Sequence, residues 1–192
     1  MAIVHGFDSP DRFVAGTVGE PGARTFFLQA RDGGRVTSVA LEKQQVEALA
    51  ERVDELLDEV MTQAETRDVV PAVAPLGMVD DGPLDAPIEE EFRAGTMTLS
   101  WDPDEERVVI EVFPVGEELV GMTEPEAELE DAPEPSEVFV VRIEAARARA
   151  FVQRANKIVG AGRPSCPFCG QPVDPDGHLC VRANGFRRRD PA

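Results

Sequence analysis

The segment Phe13-Val14-Ala15-Gly16-Thr17 recurs as Phe92-Arg93-Ala94-Gly95-Thr96, and Val36 to Leu57 matches Val138 to Val159. In the second match apolar residues coincide at Val46/Ala148, Leu49/Phe151, Val53/Ala155 and Leu56/Ile158, with Arg52 opposite Arg154. The two registers differ by 23 residues, so the second copy carries an insertion. A chain that repeats strands followed by one helix has few ways to hide its apolar surface, because each helix has one apolar stripe and each sheet one apolar face to bury against it.

Each half reads as strands and then a helix. In the first, Arg12 to Val18, Arg24 to Ala30 and Arg35 to Leu41 are β-prone, the last two separated by the turn Asp32-Gly33-Gly34. The period then changes: Val46, Leu49, Ala50, Val53, Leu56, Leu57, Val60, Met61 and Ala64 fall at helical spacing, with Glu47, Glu51, Asp54, Glu55, Asp58 and Glu59 on the other face. The second half offers Phe92 to Trp101, a turn at Asp102-Pro103-Asp104-Glu105, the alternating Val108, Ile110 and Val112, Val138 to Ile143, and a helix from about Ala145 to Val159. The pattern predicts an α+β fold: a mainly antiparallel sheet from two strands-then-helix repeats, both helices on one face, related by an approximate two-fold. A small C-terminal zinc module completes it.

Composition divides the chain into residues 1–67 and 92–161 as the two halves, 68–91 as a crossover, and 162–192 as the C-terminal module. The crossover holds Pro71, Pro75, Pro83 and Pro87 among Asp80, Asp81 and Glu89-Glu90-Glu91, which resists regular structure. Within the second half, residues 117–137 carry nine acidic residues and no basic one, and are expected to form a solvated excursion between two strands.

All three cysteines lie near the C-terminus, in Cys166-Pro167-Phe168-Cys169-Gly170 and His178-Leu179-Cys180. Pro167 and Gly170 supply the fixed and the permissive φ of a tight turn that points both sulfurs at one place. His178 and Cys180, two apart, share one face of an extended strand. Cys166, Cys169, His178 and Cys180 are therefore the predicted ligands of one zinc ion per chain, in a closed tetrahedral site that is structural rather than hydrolytic. A redox Cys-x-x-Cys pair would want a helix after its first cysteine, which Gly170-Gln171-Pro172 opposes, and a disulfide framework prefers an even count and an oxidising compartment.

The chain has 192 residues and a net charge of −18. Residues 163–192 carry five arginines against three aspartates, so the body before them is more acidic than the whole. Such a body repels phosphate backbones, and nucleic acid has only the tail, through Arg187, Arg188 and Arg189, to approach. No apolar run approaches the ~18 residues of a membrane helix, and no apolar leader opens the chain, so a cytoplasmic protein without membrane attachment is expected. Catalytic constellations are scarce. Once His178 is assigned to zinc, only His5 remains, and a surface or capping role suits it. Asp102, Asp104, Glu105 and Glu106 sit at a hairpin turn where acidic residues are common, and Gly16 and Gly95 mark a bulge or a close crossing rather than a phosphate cradle.

The opening His5-Gly6-Phe7-Asp8-Ser9-Pro10-Asp11-Arg12-Phe13-Val14-Ala15-Gly16-Thr17, the strands Phe26-Phe27-Leu28-Gln29-Ala30 and Phe92-Arg93-Ala94-Gly95, and the Cys-Pro-x-Cys-Gly tail ending Asn184-Gly185 together resemble the domain of unknown function 3090 family of actinobacterial proteins. That resemblance implies a bacterial cytoplasmic protein with the tail as an integral part, and a partner rather than a reaction. Three classes of function follow. The favoured one is a non-enzymatic zinc-binding interaction or regulatory protein with a protein partner. The second is a single-stranded nucleic-acid binder using the zinc knuckle and basic tail, and the third an enzyme with a site between the two halves.

Overall fold

A computed structural model of the chain describes residues 3–20, 22–63, 66, 68–116, 135–161, 166–169, 173 and 180. Among them are the strands β1 (Ile3–Asp8), β2 (Arg12–Val18), β3 (Thr25–Asp32), β4 (Arg35–Leu41), β5 (Glu90–Asp102), β6 (Arg107–Pro114) and β7 (Glu137–Glu144). The helices are α1 (Lys43–Thr62), after β4, and α2 (Ala145–Gly160), after β7. Among the described residues the fold is α+β, with two helices and one large, mostly antiparallel sheet. None of the described helices is long and apolar enough to cross a membrane.

The strands form one sheet in the order β1-β7-β6-β5-β4-β3-β2. Within each half the pairings are antiparallel: short connections join β2 to β3, β3 to β4 and β5 to β6, whereas the longer segment 115–136 joins β6 to β7. Gly33-Gly34, with Gly33 at φ +57°, closes the two-residue hairpin that sets Asp32 opposite Arg35. Two pairings are parallel: β4 with β5, and β1 with β7. β1 was not anticipated from the sequence. It lies near the chain's start and, among the described residues, its ladder is with β7, each residue paired with one 134 positions on, so no local turn announces it.

The sheet coils strongly. In a flat sheet β2 and β7 would be five strand spacings apart, about 24 Å, yet the rings of Phe13 on β2 and Phe139 on β7 lie 6.5 Å apart. Likewise the Arg35 guanidinium of β4 sits 4.0 Å over the ring of Phe7 on β1. Only residues 9–11 join β1 to β2, so the two edges of the sheet are brought together at this corner. Both helices pack on the concave face, where Phe7, Phe13, Leu28, Val39, Ile110 and Phe139 join Leu49, Val53 and Phe151 in one apolar core. Moving three strands round the sheet reproduces each strand's direction, and α1 lies against β5 as α2 lies against β2. An approximate two-fold axis running along the strands would generate this arrangement.

The connection from α1 to β5 wraps the first half. It leaves the helix layer beside α2, where Pro71 O accepts from Arg149 Nε at 3.0 Å. It then passes the free edge of β2 at Asp80 to Gly82 and turns under the convex face. There Asp85 pairs with the buried Gln29 like a short extra strand: Asp85 N donates to Gln29 Oε1 at 2.7 Å and Gln29 Nε2 donates to Asp85 O at 3.0 Å. Leu84 lies so close over Gly16 that an added Cβ would sit 2.4 Å from its side chain, which is why glycine stands there. Gly95 has a different reason: it lies in the register shift between β5 and β6, with Pro114 O 2.7 Å from where its Cβ would be. Most of the acidic excursion, residues 117–134, lies outside the described residues.

Candidate metal centre and the arginine clamp

The sulfurs of Cys166, Cys169 and Cys180 converge, all within 4.8 Å of one another. Cys166 Sγ and Cys180 Sγ are 3.7 Å apart, far beyond the roughly 2.05 Å of a disulfide bond. Metal–sulfur bonds of about 2.3 Å in a tetrahedron would separate two sulfurs by about 3.8 Å. Cys166 and Cys180 are buried and Cys169 is half-buried. Pro167, Phe168 and Cys169 form a turn rather than a helix, and the backbone N–H groups of Cys169 and Phe168 point back at the Cys166 sulfur. These bonds, that from Cys169 first, hold the Cys166 thiol below its ordinary pKa. A thiol so placed ionises readily, which is the form a metal takes. A three-thiolate donor set suits a soft or borderline cation. His178, Arg182 and Arg187 to Arg189 lie outside the described residues.

A second polar cluster fastens the crossover to the body. Arg12 on β2 donates Nη1 to Asp85 Oδ2 at 2.7 Å and its Nε to Asp80. Arg154 on α2 donates Nε to Ala15 O, Nη1 to Asp80 O and Nη2 to Gly82 O, the last at 2.8 Å. Its Nη1 is 3.3 Å from the Asp80 carboxylate. The hydrogen bond from Arg12 is the main reason the Asp80 carboxyl is held below its ordinary pKa, and the same bond raises that of Arg12. Burial lowers the pKa of Arg154. A third arginine, Arg149, is buried between the helices and pairs with Asp54 and Asp58 of α1.

The other residues singled out in the sequence have structural duties. His5, half-buried on β1, has Nε2 3.4 Å from Glu137 and its ring 6.3 Å from Phe92. The carboxylate of Asp102 accepts from the backbone N–H of Asp104 at 3.0 Å and Glu105 at 3.1 Å, shaping the hairpin turn. Sequence reasoning missed the arginine clamp. Its signal was the stripe Arg147, Ala150, Phe151, Arg154, at i, i+3, i+4 and i+7, which sets two cations at the ends of an inward-facing helical stripe.

The chain belongs to the family described as protein of unknown function DUF3090, whose model matches residues 5–180. That span runs from β1 to Cys180 and so includes the whole sulfur cluster. No curated protein and no solved structure matches the chain.

Proposed function

We propose that the protein is a zinc-binding interaction or regulatory protein, in which Cys166, Cys169, His178 and Cys180 hold one structural zinc ion. The observation that carries this reading is the convergence of three sulfurs at a spacing suited to a tetrahedral centre. Three thiolates and one imidazole close the shell, so the metal builds a surface instead of activating water. The turn between the first two ligands also holds Phe168 outward, 62 % exposed. An aromatic side chain on a turn fixed at both ends loses little entropy on binding, the property of residues that anchor protein interfaces. A thiolate-rich site of this kind suits the reducing cytoplasm. The partner is a protein; nucleic acid is disfavoured by the acidic body.

Affinity purification of the tagged protein from its own host, alongside Phe168→Ala and a form lacking residues 163–192, tests this. Phe168→Ala should keep its metal and lose the partner, and the shortened form should lose both. A partner retained by the shortened form would move the interaction to the sheet. Zinc-free protein from a chelator-free preparation would remove the metal from the account.

A further inference from the structure

A cleft of about 280 Å³ opens between α2 and β2, and its chemistry runs against the rest of the chain. The protein carries a net charge of −18, whereas the cleft is lined by Arg12, Arg147 and Arg154 against Asp11 and Asp80. Beneath them the floor is apolar, with the rings of Phe13 and Phe151 stacked at 4.8 Å. Arg154 is buried, Arg12 is half-buried and Arg147 is exposed, so the guanidinium groups span the cleft from its depth to the surface.

Their charges are unevenly neutralised. Arg12 is paired with Asp80 and Asp85. Arg154 donates to the carbonyls of Ala15, Asp80 and Gly82, with the Asp80 carboxylate at 3.3 Å and the charge of Asp81 also acting on it. Arg147 donates Nη1 to the carbonyls of Pro10 and Asp11, at 2.6 and 3.1 Å, and has no carboxylate partner among the described residues. Carbonyls solvate a cation without cancelling its charge, so Arg147 keeps its attraction for an incoming anion in full, and Arg154, shared between one carboxylate contact and three carbonyls, keeps part of it.

The molecule contains its own reference for this site. The matching position under α1, lined by Ala48, Leu49, Arg52, Met97, Thr98 and Leu99, is a smaller space of about 180 Å³. There Arg52 turns away to pair with Glu55 at 2.9 Å, and Gln45 stands where α2 has Arg147, holding the carbonyls of Ala94 and Gly95.

We propose that the cleft between α2 and β2 binds a small organic anion, an oxyanion (carboxylate or phosphate monoester) carried on a compact apolar group. Arg147 closes on the oxyanion at the mouth, Arg154 supplies positive potential from below, and Phe13 and Phe151 receive the apolar group. The volume admits one compact ligand rather than a dinucleotide or a peptide. The site is separate from the sulfur cluster, and neither reading depends on the other.

The test is calorimetric titration of the full chain with phenyl phosphate and with benzoate at about 50 mM salt, where screening is modest, and with phenol as the uncharged control. Saturable one-to-one binding of at least one anion is expected, the tighter of the two identifying the oxyanion class, with phenol much weaker. Arg147→Gln should weaken it roughly tenfold, the loss of one charge-assisted pair, while Arg52→Gln leaves it unchanged; equal thermal midpoints would show both variants folded. No saturable heat with either anion up to about 10 mM, equal losses in the two variants, or phenol binding as tightly as the anions would each overturn the proposal.

Discussion

Helices α1 and α2 occupy corresponding places on the coiled sheet, yet the arginines at matching positions lead different lives. Arg52 is 75 % exposed and pairs with Glu55 one turn along its own helix. Arg154 is 6 % exposed and grips β2 and the crossover together. The difference lies in what passes overhead. The crossover runs along β2, so α2 faces carbonyls that need a donor, whereas the matching surface of α1 is left to water. One residue type in one helical position is thus decorative in the first half and structural in the second, and its worth is set by the desolvated partners it satisfies.

The largest expected effect probes what the two halves share. Leu49→Ala and Phe151→Ala empty matching core positions and should each lower unfolding free energy by about 2 to 5 kcal/mol in denaturant titrations. If one proved harmless, the correspondence between the helices would fail. Next comes the contrast itself. Arg154→Ala strips the carbonyls of Ala15, Asp80 and Gly82 of their donor and should cost about 2 to 4 kcal/mol, whereas Arg52→Ala should cost less than about 0.5 kcal/mol. Equal costs would abolish the distinction.

A smaller effect follows from acid. Because the folded protein holds the Asp80 carboxyl below its ordinary value of 3.8, the unfolded chain takes up that proton first as pH falls. The stabilisation is therefore complete above about pH 5, declines as pH drops below 3.8, and is lost once the folded-state pKa is passed. Thermal midpoints recorded from pH 6 to pH 3 should fall less steeply for Asp80→Asn than for the natural chain; parallel curves would show that the clamp has no ionic component. The smallest effect belongs to Glu51→Ala and Gln153→Ala, exposed on the outer faces of the two helices, which should each change stability by less than about 1 kcal/mol.

What the sequence disclosed follows from the range of the forces involved. Alternation and turn chemistry are local, so β2 and β4 run over the very residues expected, Arg12–Val18 and Arg35–Leu41, and α2 begins at the expected Ala145. The parallel joins of β4 to β5 and of β1 to β7 depend on contacts across the coil and left no local mark. The crossover's composition marked 68–91 as irregular, and it is so as far as Glu89, with Glu90 and Glu91 already opening β5; that arginines would fasten it could not be read from the crossover alone, since the donors belong to β2 and α2. For the candidate metal centre the spacing was informative because ligand geometry is short-ranged: Cys166 and Cys169 are brought to one point by their own turn, and Cys180 joins them.

The centre is also where the account is most directly tested. X-ray absorption at the zinc edge, on full-length protein purified without chelators and assayed for metal content, reads both occupancy and shell. About one zinc per chain is expected, bound by three sulfurs at about 2.3 Å and one nitrogen at about 2.0 Å. An absence of zinc, or a shell in which oxygen replaces the sulfurs, would contradict this expectation.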